Sequence, residues 1–205
     1  MTEQLVLHEF SLSGNCYKVR LTAALAGRQI ERREYDIMAG ETRTPEFIAN
    51  VNSNGRIPVL QEGSRFLPES NAACFYLAEG SKLVPGDRFE RADMLRWMFF
   101  EQYNHEPNIA TLRFWLAFVG EVNLTPQQRA QIPAKRMAGE EALTLMDRHL
   151  AGREWFVGDR CTLADVSLYA YTHVAEAGGF RLEDRRNVCD WIKRVAELPG
   201  YTAMD

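Results

Sequence analysis

A group of polar side chains follows the first strand-like stretch of the chain. After residues 5–10 come Ser11, Ser13, Asn15 and Cys16. A serine hydroxyl in such a position can donate a hydrogen bond to a thiolate, and a cysteine with a lowered pKa can itself act as a nucleophile. Both features have a structural alternative, because serine and asparagine also cap helices and buried thiols are often inert. By itself, the group predicts either thiol chemistry or a helix start.

A second polar pair, Glu69 and Ser70, follows Pro68 at the predicted start of another helix. A helix N-terminus offers free amides and a partial positive charge, so Ser70 can hold a carboxylate there while Glu69 holds an ammonium group. Such a pair would satisfy both ends of an amino acid. The alternative is that one of the two residues only caps the helix.

Pro58 interrupts the otherwise strand-like residues 57–61. Because proline cannot donate to a strand ladder, it marks either an edge strand or a special backbone feature. A cis peptide bond between Ile57 and Pro58 is one such feature, and it would leave the Ile57 amide and carbonyl able to pair with an extended peptide ligand. A trans proline on an edge strand is the alternative.

The composition excludes several other classes of protein. The 205 residues are 46% hydrophobic and 25% charged, with a net charge of -4. Acidic and basic residues are evenly spread, so we expect no nucleic-acid or membrane partner. No apolar stretch approaches the roughly 18 residues of a membrane span, and residues 1–4 show no secretory signal, so a cytoplasmic location is expected. The four cysteines form no close pair, which predicts neither a disulfide framework nor a metal site.

The elements that must position these residues fall into two halves. Residues 1–80 alternate strand-like and helix-like segments in the order βαβαββα, with the first polar group between the first strand and the first helix. Residues 81–86, which contain Pro85 and Gly86, are predicted to be a linker. Residues 87–205 show almost no strand signal and predict an all-helical domain. Within it, Pro133 is expected to kink a helix over residues 125–150.

Together these features resemble the cytosolic glutathione transferases over nearly the whole chain. Three motifs of the first half are similar to the glutathione-binding domain of that family: Pro45-x-Phe47, then Asn52-x-Asn54-Gly55-Arg56-Ile57-Pro58-Val59-Leu60, then Glu69-Ser70. In the second half, Thr162 and Asp165 are similar to the family's buried N-capping box, which serves folding rather than catalysis.

The resemblance has consequences for fold, ligand and assembly. It implies an α/β thioredoxin-like N-terminal domain, an all-α C-terminal helical bundle and a cis bond before Pro58. It also implies glutathione as cosubstrate, no metal, and a homodimer. By position-matching, the main chain of Ile57 would pair with the cysteinyl part of glutathione. Glu69 and Ser70 would hold the γ-glutamyl end, and Arg56 would reach the glycyl carboxylate.

The catalytic residue depends on the class within the family. Classes that use a tyrosine at the end of the first strand are disfavoured, because Phe10 stands there and has no hydroxyl. Ser13 matches the catalytic hydroxyl of the serine classes, so the chain resembles the theta and zeta classes more than the tyrosine classes. Ser11 is a second candidate. Cysteine classes place their nucleophile near Asn15, one position before Cys16.

The second substrate is expected beside the long helix that begins near residue 87. Its polar candidates are Tyr103, His105 and Arg113, whereas its many aromatic residues are expected to pack in the core or in a dimer contact. The predicted activity is that of a glutathione S-transferase, active in detoxification, which attacks small apolar electrophiles. Two rivals stay open. One is a glutathione-dependent thiol-disulfide oxidoreductase or peroxidase that uses Cys16, and the other is a non-catalytic scaffold of the same fold.

Overall fold

The structure, a computed structural model, describes residues 4–204 and divides into two compact units. The first unit contains the described residues up to Val84 together with residues 198–204, and the second contains residues 85–197. The predicted linker, residues 81–86, includes the observed boundary. The prediction that the helical domain extends to residue 205 differs from the structure, because residues 198–204 belong to the first unit. The prediction of no secretory signal rests on residues 1–4, of which 1–3 lie outside the described residues.

The segment 198–204 is held in the first unit by contacts with the first helix. The Tyr17 hydroxyl, which is fully buried, donates a hydrogen bond of 2.8 Å to the Thr202 carbonyl. Gly200 has a φ of +86°, and a Cβ added to it would lie 3.2 Å from the Ala24 carbonyl oxygen. A glycine is therefore needed at this close approach.

A mixed sheet of four strands forms the centre of the first unit. The strands are β1 (Leu5–Glu9), β2 (Glu31–Glu34), β3 (Val59–Glu62) and β4 (Arg65–Pro68). Their order across the sheet is β2-β1-β3-β4, with β1 parallel to β2 and antiparallel to β3, and with β3 and β4 joined as a hairpin. This arrangement confirms the α/β fold predicted for the N-terminal half.

Three helices complete the predicted order βαβαββα: α1 (Gly14–Leu25), α2 (Pro45–Asn50) and α3 (Ser70–Ala78). The sequence explains where α2 begins, because the Thr44 side chain accepts the Phe47 amide hydrogen and Pro45 occupies the first turn. Helices α1 and α3 pack against each other. Their buried faces carry apolar side chains such as Val19, Leu21 and Leu77, which join Leu7 and Leu60 of the sheet in the core.

Every regular element within residues 85–197, all of which the structure describes, is a helix. The α-helices are α4 (Arg88–Phe100), α5 (Glu106–Arg113), α6 (Pro126–Leu150), α7 (Leu163–Thr172) and α8 (Arg186–Ala196). Two π-helical turns, Glu101–His105 and Phe114–Val119, continue α4 into α5 and extend α5. Pro133 lies inside the continuous helix α6. Across residues 4–204, no helix has the length and apolar character needed to cross a bilayer.

Helix α7 is buried along its whole length and begins with the predicted capping box. The Asp165 carboxylate accepts the Thr162 amide hydrogen at 2.9 Å, and the Thr162 hydroxyl accepts the Ala164 amide hydrogen at 3.3 Å. Asp165 also accepts hydrogen bonds from the Phe156 amide at 3.1 Å and from the Trp191 indole at 3.0 Å. The box thus ties the start of α7 to the preceding loop and to α8.

Candidate active site

The strand register brings the sequence-predicted residues of the first unit to one edge of the sheet. His8 pairs with Val59, and Val59 pairs in turn with Pro68. The end of β1, the start of β3 and the end of β4 are therefore neighbours. The loop before α1 follows β1, Ile57 lies two residues before β3, and Glu69 directly follows β4. These three segments therefore meet at this edge.

Ser13 is the N-cap residue of α1. Its Oγ accepts the Cys16 amide hydrogen at 3.4 Å, and its own amide donates to the Phe10 carbonyl at 2.9 Å. The side chain is half-buried. Because the hydroxyl acts only as an acceptor in this cap, its hydrogen is not used by the contact. Capping and donation to a ligand are therefore compatible at Ser13.

A buried ion-pair network anchors the loop that carries Ser13. Glu9 is fully buried at the end of β1 and pairs with both Arg20 and Arg32. Arg20 also donates to the Ser11 carbonyl at 2.8 Å, and the Ser11 amide donates to the Glu34 carboxylate at 2.7 Å. Ser11 is thus fixed through its main chain.

Cys16 lies inside the core of the first unit. It is 0% exposed, and its sulfur accepts the Phe10 amide hydrogen at 3.5 Å. Burial raises the pKa of its thiol to about 12. The thiol therefore stays protonated near neutral pH and cannot easily reach a ligand, so the environment is that of a structural cysteine.

The segment around Pro58 offers an unpaired stretch of main chain. The peptide bond between Ile57 and Pro58 is cis, as the resemblance implied. Among residues 4–204, neither the amide nor the carbonyl of Ile57 has a hydrogen-bond partner. The Arg56 side chain is exposed, and its carbonyl accepts from Asn52 Nδ2 at 2.8 Å. This segment can therefore pair with an extended ligand through Ile57.

Glu69 and Ser70 form the start of α3. Glu69 is exposed and has a φ of +74°, a value that no other non-glycine residue shows within the described part of the chain. Such a conformation is strained, and strained residues concentrate at functional sites. Ser70 is only 6% exposed, and its hydroxyl donates to Asn15 Oδ1 at 3.2 Å. The N-termini of α1 and α3 are thus directly linked.

Lys18 is a residue of this edge that the sequence analysis missed. It is 0% exposed, and its Nζ donates to Asn15 Oδ1 at 3.2 Å and to Ser70 Oγ at 3.3 Å. A signal was available, because Asn15, Lys18 and Thr22 follow the three- and four-residue steps that place them on one face of α1. A polar stripe in a helix that is buried over most of its length indicates internal partners.

The three candidates for the second-substrate pocket do not come together in the second unit. His105 is 0% exposed, and its Nε2 lies 2.9 Å from Thr172 Oγ1 of α7. Arg113 is also buried, with its guanidinium 4.9 Å from the ring centre of Phe118. Tyr103, by contrast, is 84% exposed. His105 and Arg113 are thus buried polar residues of the helical unit and Tyr103 is a surface residue, and their role in a substrate pocket stays a prediction.

Helix geometry explains this difference. The π-helical turn over Glu101–His105 adds an extra residue to one turn and rotates the residues after it about the helix axis. Pro107 is the second residue of α5, which begins directly after this turn. As for metal ions, the described residues contain no cluster of three or more His, Cys, Asp or Glu that could hold one.

Comparisons with known proteins match both parts of the chain. Models of the glutathione S-transferase N-terminal and C-terminal domains match residues 5–79 and 109–199. Glutathione S-transferase 2 of Anopheles gambiae is 32% identical over 197 residues, which is 93% of this chain and 90% of the relative.

Solved structures are similar over almost the whole chain. A glutathione S-transferase structure from Pseudomonas fluorescens is 39% identical with a TM-score of 0.92, covering 98% of each chain. A glutathione transferase from Pseudomonas putida, solved with glutathione disulfide bound, is 25% identical with a TM-score of 0.83, covering 97% of this chain and 89% of the other.

Proposed function

The chain belongs to the glutathione S-transferase family, and from this premise we propose that Ser13 donates a hydrogen bond to the sulfur of bound glutathione. One observation carries the proposal. Ser13 Oγ receives the Cys16 amide at the start of α1, which fixes the oxygen and leaves the hydroxyl hydrogen for a ligand. The protein is a glutathione transferase, and Ser13 is proposed as its catalytic residue.

The magnitude of one hydrogen bond fits this role. A thiol with a pKa of about 8.5 is only a few per cent ionised at pH 7, and a shift of one pKa unit corresponds to about 1.4 kcal/mol. A hydrogen bond to a charged group contributes roughly 1.5–3 kcal/mol, so Ser13 can lower the thiol pKa by about one to two units. The positive end of the α1 dipole acts in the same direction.

The reaction then needs no covalent enzyme intermediate. The glutathione thiol loses its proton to solvent, and the thiolate sulfur forms a bond to an electrophilic carbon. The leaving group departs with the electron pair of the broken bond. We propose that the electrophile is small and apolar.

The rest of the glutathione site is proposed from the same edge of the sheet. The unpaired main chain of Ile57 supports pairing with the cysteinyl unit, and the helix start at Ser70 supports binding of the γ-glutamyl carboxylate. Glu69 would receive the α-ammonium group. Arg56, exposed in the loop before β3, would reach the glycyl carboxylate.

The proposal is tested by titrating the protein with glutathione in a calorimeter, in buffers that differ in ionisation enthalpy. We expect wild type to release a proton on binding and Ser13→Ala to bind with the proton largely retained. The kcat/KM of Ser13→Ala with a broad electrophile panel should fall by about 8- to 25-fold at pH 7, because the thiolate fraction falls to a few per cent when one or two pKa units of activation are lost.

Ser11→Ala and Cys16→Ala are the matched controls. Ser11 acts through its main chain and Cys16 is buried, so both variants should keep proton release and activity. Activity that survives Ser13→Ala but is lost in Cys16→Ala would instead establish the oxidoreductase or peroxidase. Tight glutathione binding without turnover of any electrophile would establish the scaffold.

A homodimer and a cytoplasmic location are further proposals. Large apolar side chains are exposed in the second unit, among them Phe89 at 79% and Phe99 at 70%, and a subunit contact would cover such groups. Sedimentation velocity should give about twice the chain mass of 23.5 kDa. A monomer at micromolar concentration would contradict the dimer, and cell fractionation would test the location.

A further inference from the structure

Lys18 carries a buried positive charge at the point where the N-termini of α1 and α3 meet. Its Nζ contacts Asn15, the second residue of α1, and Ser70, the first residue of α3. We propose that Lys18 is a positioning residue for the α-carboxylate of glutathione and acts on it through the Ser70 hydroxyl. The inference rests on the proposed function, in which Ser70 holds that carboxylate.

The directions of the hydrogen bonds support this role. An ammonium group can only donate, so Ser70 Oγ must accept from Lys18 and must point its own hydrogen elsewhere. In the structure that hydrogen is donated to Asn15 Oδ1 at 3.2 Å. Because Asn15 Oδ1 also accepts from Lys18, it keeps a donor if the Ser70 hydroxyl rotates toward a ligand. The network can therefore release the Ser70 hydrogen without leaving Asn15 Oδ1 unpaired.

The charge of Lys18 strengthens the donor that it contacts. A hydroxyl that accepts from an ammonium group is polarised, and its own hydrogen bond to an anion becomes stronger. Lys18 is fully buried, so solvent screens its charge less than it would screen a surface lysine. The free amides at the start of α3 add partial positive charge at the same place. A carboxylate bound at Ser70 is thus attracted both by the Lys18 charge and by the partial positive charge at the start of α3.

The buried charge of Lys18 does not favour the folded state. Moving an ammonium group out of water costs free energy, and methionine has nearly the same length without that cost. We therefore expect Lys18→Met to fold with a thermal midpoint no lower than that of wild type by more than a few degrees, while its ligand binding is impaired. A lysine whose hydrogen bonds to Asn15 and Ser70 served only the fold would show the opposite result.

The test compares two ligands across three variants. The ligands are glutathione and its analogue that lacks the α-carboxylate, 4-aminobutyryl-cysteinyl-glycine. The variants are Lys18→Met, Lys18→Arg and the surface control Lys193→Met, whose ammonium group is exposed on α8. Dissociation constants are measured by calorimetry, and folding is followed by thermal unfolding.

We expect wild type and Lys193→Met to bind glutathione at least about tenfold more tightly than the analogue, the effect of one charge-assisted hydrogen bond. Lys18→Met should bind glutathione about tenfold more weakly than wild type but bind the analogue with the wild-type constant. Lys18→Arg, which keeps the charge, should recover part of the preference for glutathione.

The outcomes separate this inference from its premise. If wild type binds neither ligand, the proposed glutathione site fails and the inference fails with it. If wild type prefers glutathione and both Lys18 variants keep the full preference, the inference alone is wrong. Equal weakening for both ligands with a lowered thermal midpoint would show a purely structural lysine and would also overturn it.

Discussion

The two units each bury a charged side chain at a helix N-terminus, but the charges have opposite signs. In the second unit the Asp165 carboxylate lies at the start of α7, and in the first unit the Lys18 ammonium group lies at the start of α3. An anion is favourable at the positive end of a helix and a cation is not. The acidic residue therefore stabilises its helix, whereas the basic residue leaves a positive site that an anion can still neutralise.

The partners of the two groups show the same difference. Asp165 accepts from two backbone amides, the Thr162 hydroxyl and the Trp191 indole, so its oxygens are fully used by the fold. Lys18 donates to Ser70 Oγ, a hydroxyl whose own hydrogen can change partner. A buried charge with saturated partners serves folding, and a buried charge beside a rotatable donor can serve binding.

The largest effect that would test this comparison is expected from Asp165→Ala. The change leaves the Phe156 and Thr162 amides and the Trp191 indole without their acceptor in a buried place, so the free energy of unfolding should fall by about 3–5 kcal/mol. Chemical denaturation measures it. The control Asp190→Ala removes an exposed aspartate of α8 that pairs with Lys193, and it should cost less than about 1 kcal/mol. If both variants lost the same free energy of unfolding, Asp165 would not be the charge that stabilises the fold.

The burial of Asp165 should also make the stability of the protein depend on pH. Burial raises the pKa of this carboxyl from 3.8 to about 6. Between those values the folded protein keeps a proton that the unfolded chain releases, so the free energy of unfolding should fall as pH rises from about 4 to 6. The slope should be at most about 1.4 kcal/mol per pH unit, and the effect should level off above pH 6.

The measurement is the difference in unfolding free energy between wild type and Asp165→Asn at several pH values. Burial lowers the pKa of His8, His149 and His173, which makes stability rise with pH up to about 6.5. Both proteins keep these histidines, so their contribution cancels in the difference. If this difference grew as pH rises from about 4 to 6, the raised pKa of Asp165 would be contradicted.

The smallest expected effect concerns Glu69, on the binding side of the comparison. Because its φ of +74° is unfavourable for any residue with a Cβ, Glu69→Gly should be more stable than Glu69→Ala by about 1 kcal/mol. Both variants lose the carboxylate proposed to hold the α-ammonium group, so both should bind glutathione more weakly. Chemical denaturation and calorimetry give the two quantities. Equal stability of the two variants would mean that the backbone relaxes and stores no strain there.

Local patterns in the sequence predicted the parts of the molecule that depend on neighbouring residues. Thr162 and Asp165 are three positions apart, and the capping box they form needs only that spacing. Thr44 before Pro45 predicted the start of α2 in the same way. The strand and helix order of the first unit followed from hydrophobic periods of two and of three to four residues.

The features that escaped prediction depend on contacts between distant residues or on irregular helix turns. Lys18 is 52 positions from Ser70, and a lysine in a helix is normally expected to be solvent-exposed. His105 was chosen as a polar residue of the long helix beside the expected second substrate, and that choice carries no information about which side chains a π-helical turn buries. Only the three-dimensional arrangement shows that both side chains are buried.

The path of the chain after Leu198 affects how this protein is made. Because residues 198–204 complete the first unit through Tyr17 and Ala24, the second unit is an insertion within the first. On a ribosome, residues 85–197 emerge as one uninterrupted segment, whereas the sheet-containing unit must wait until Thr202 has left the exit tunnel. Most of the first unit is therefore made before the α-helical unit, but its contacts with residues 198–204 form only after residues 85–197 have been made.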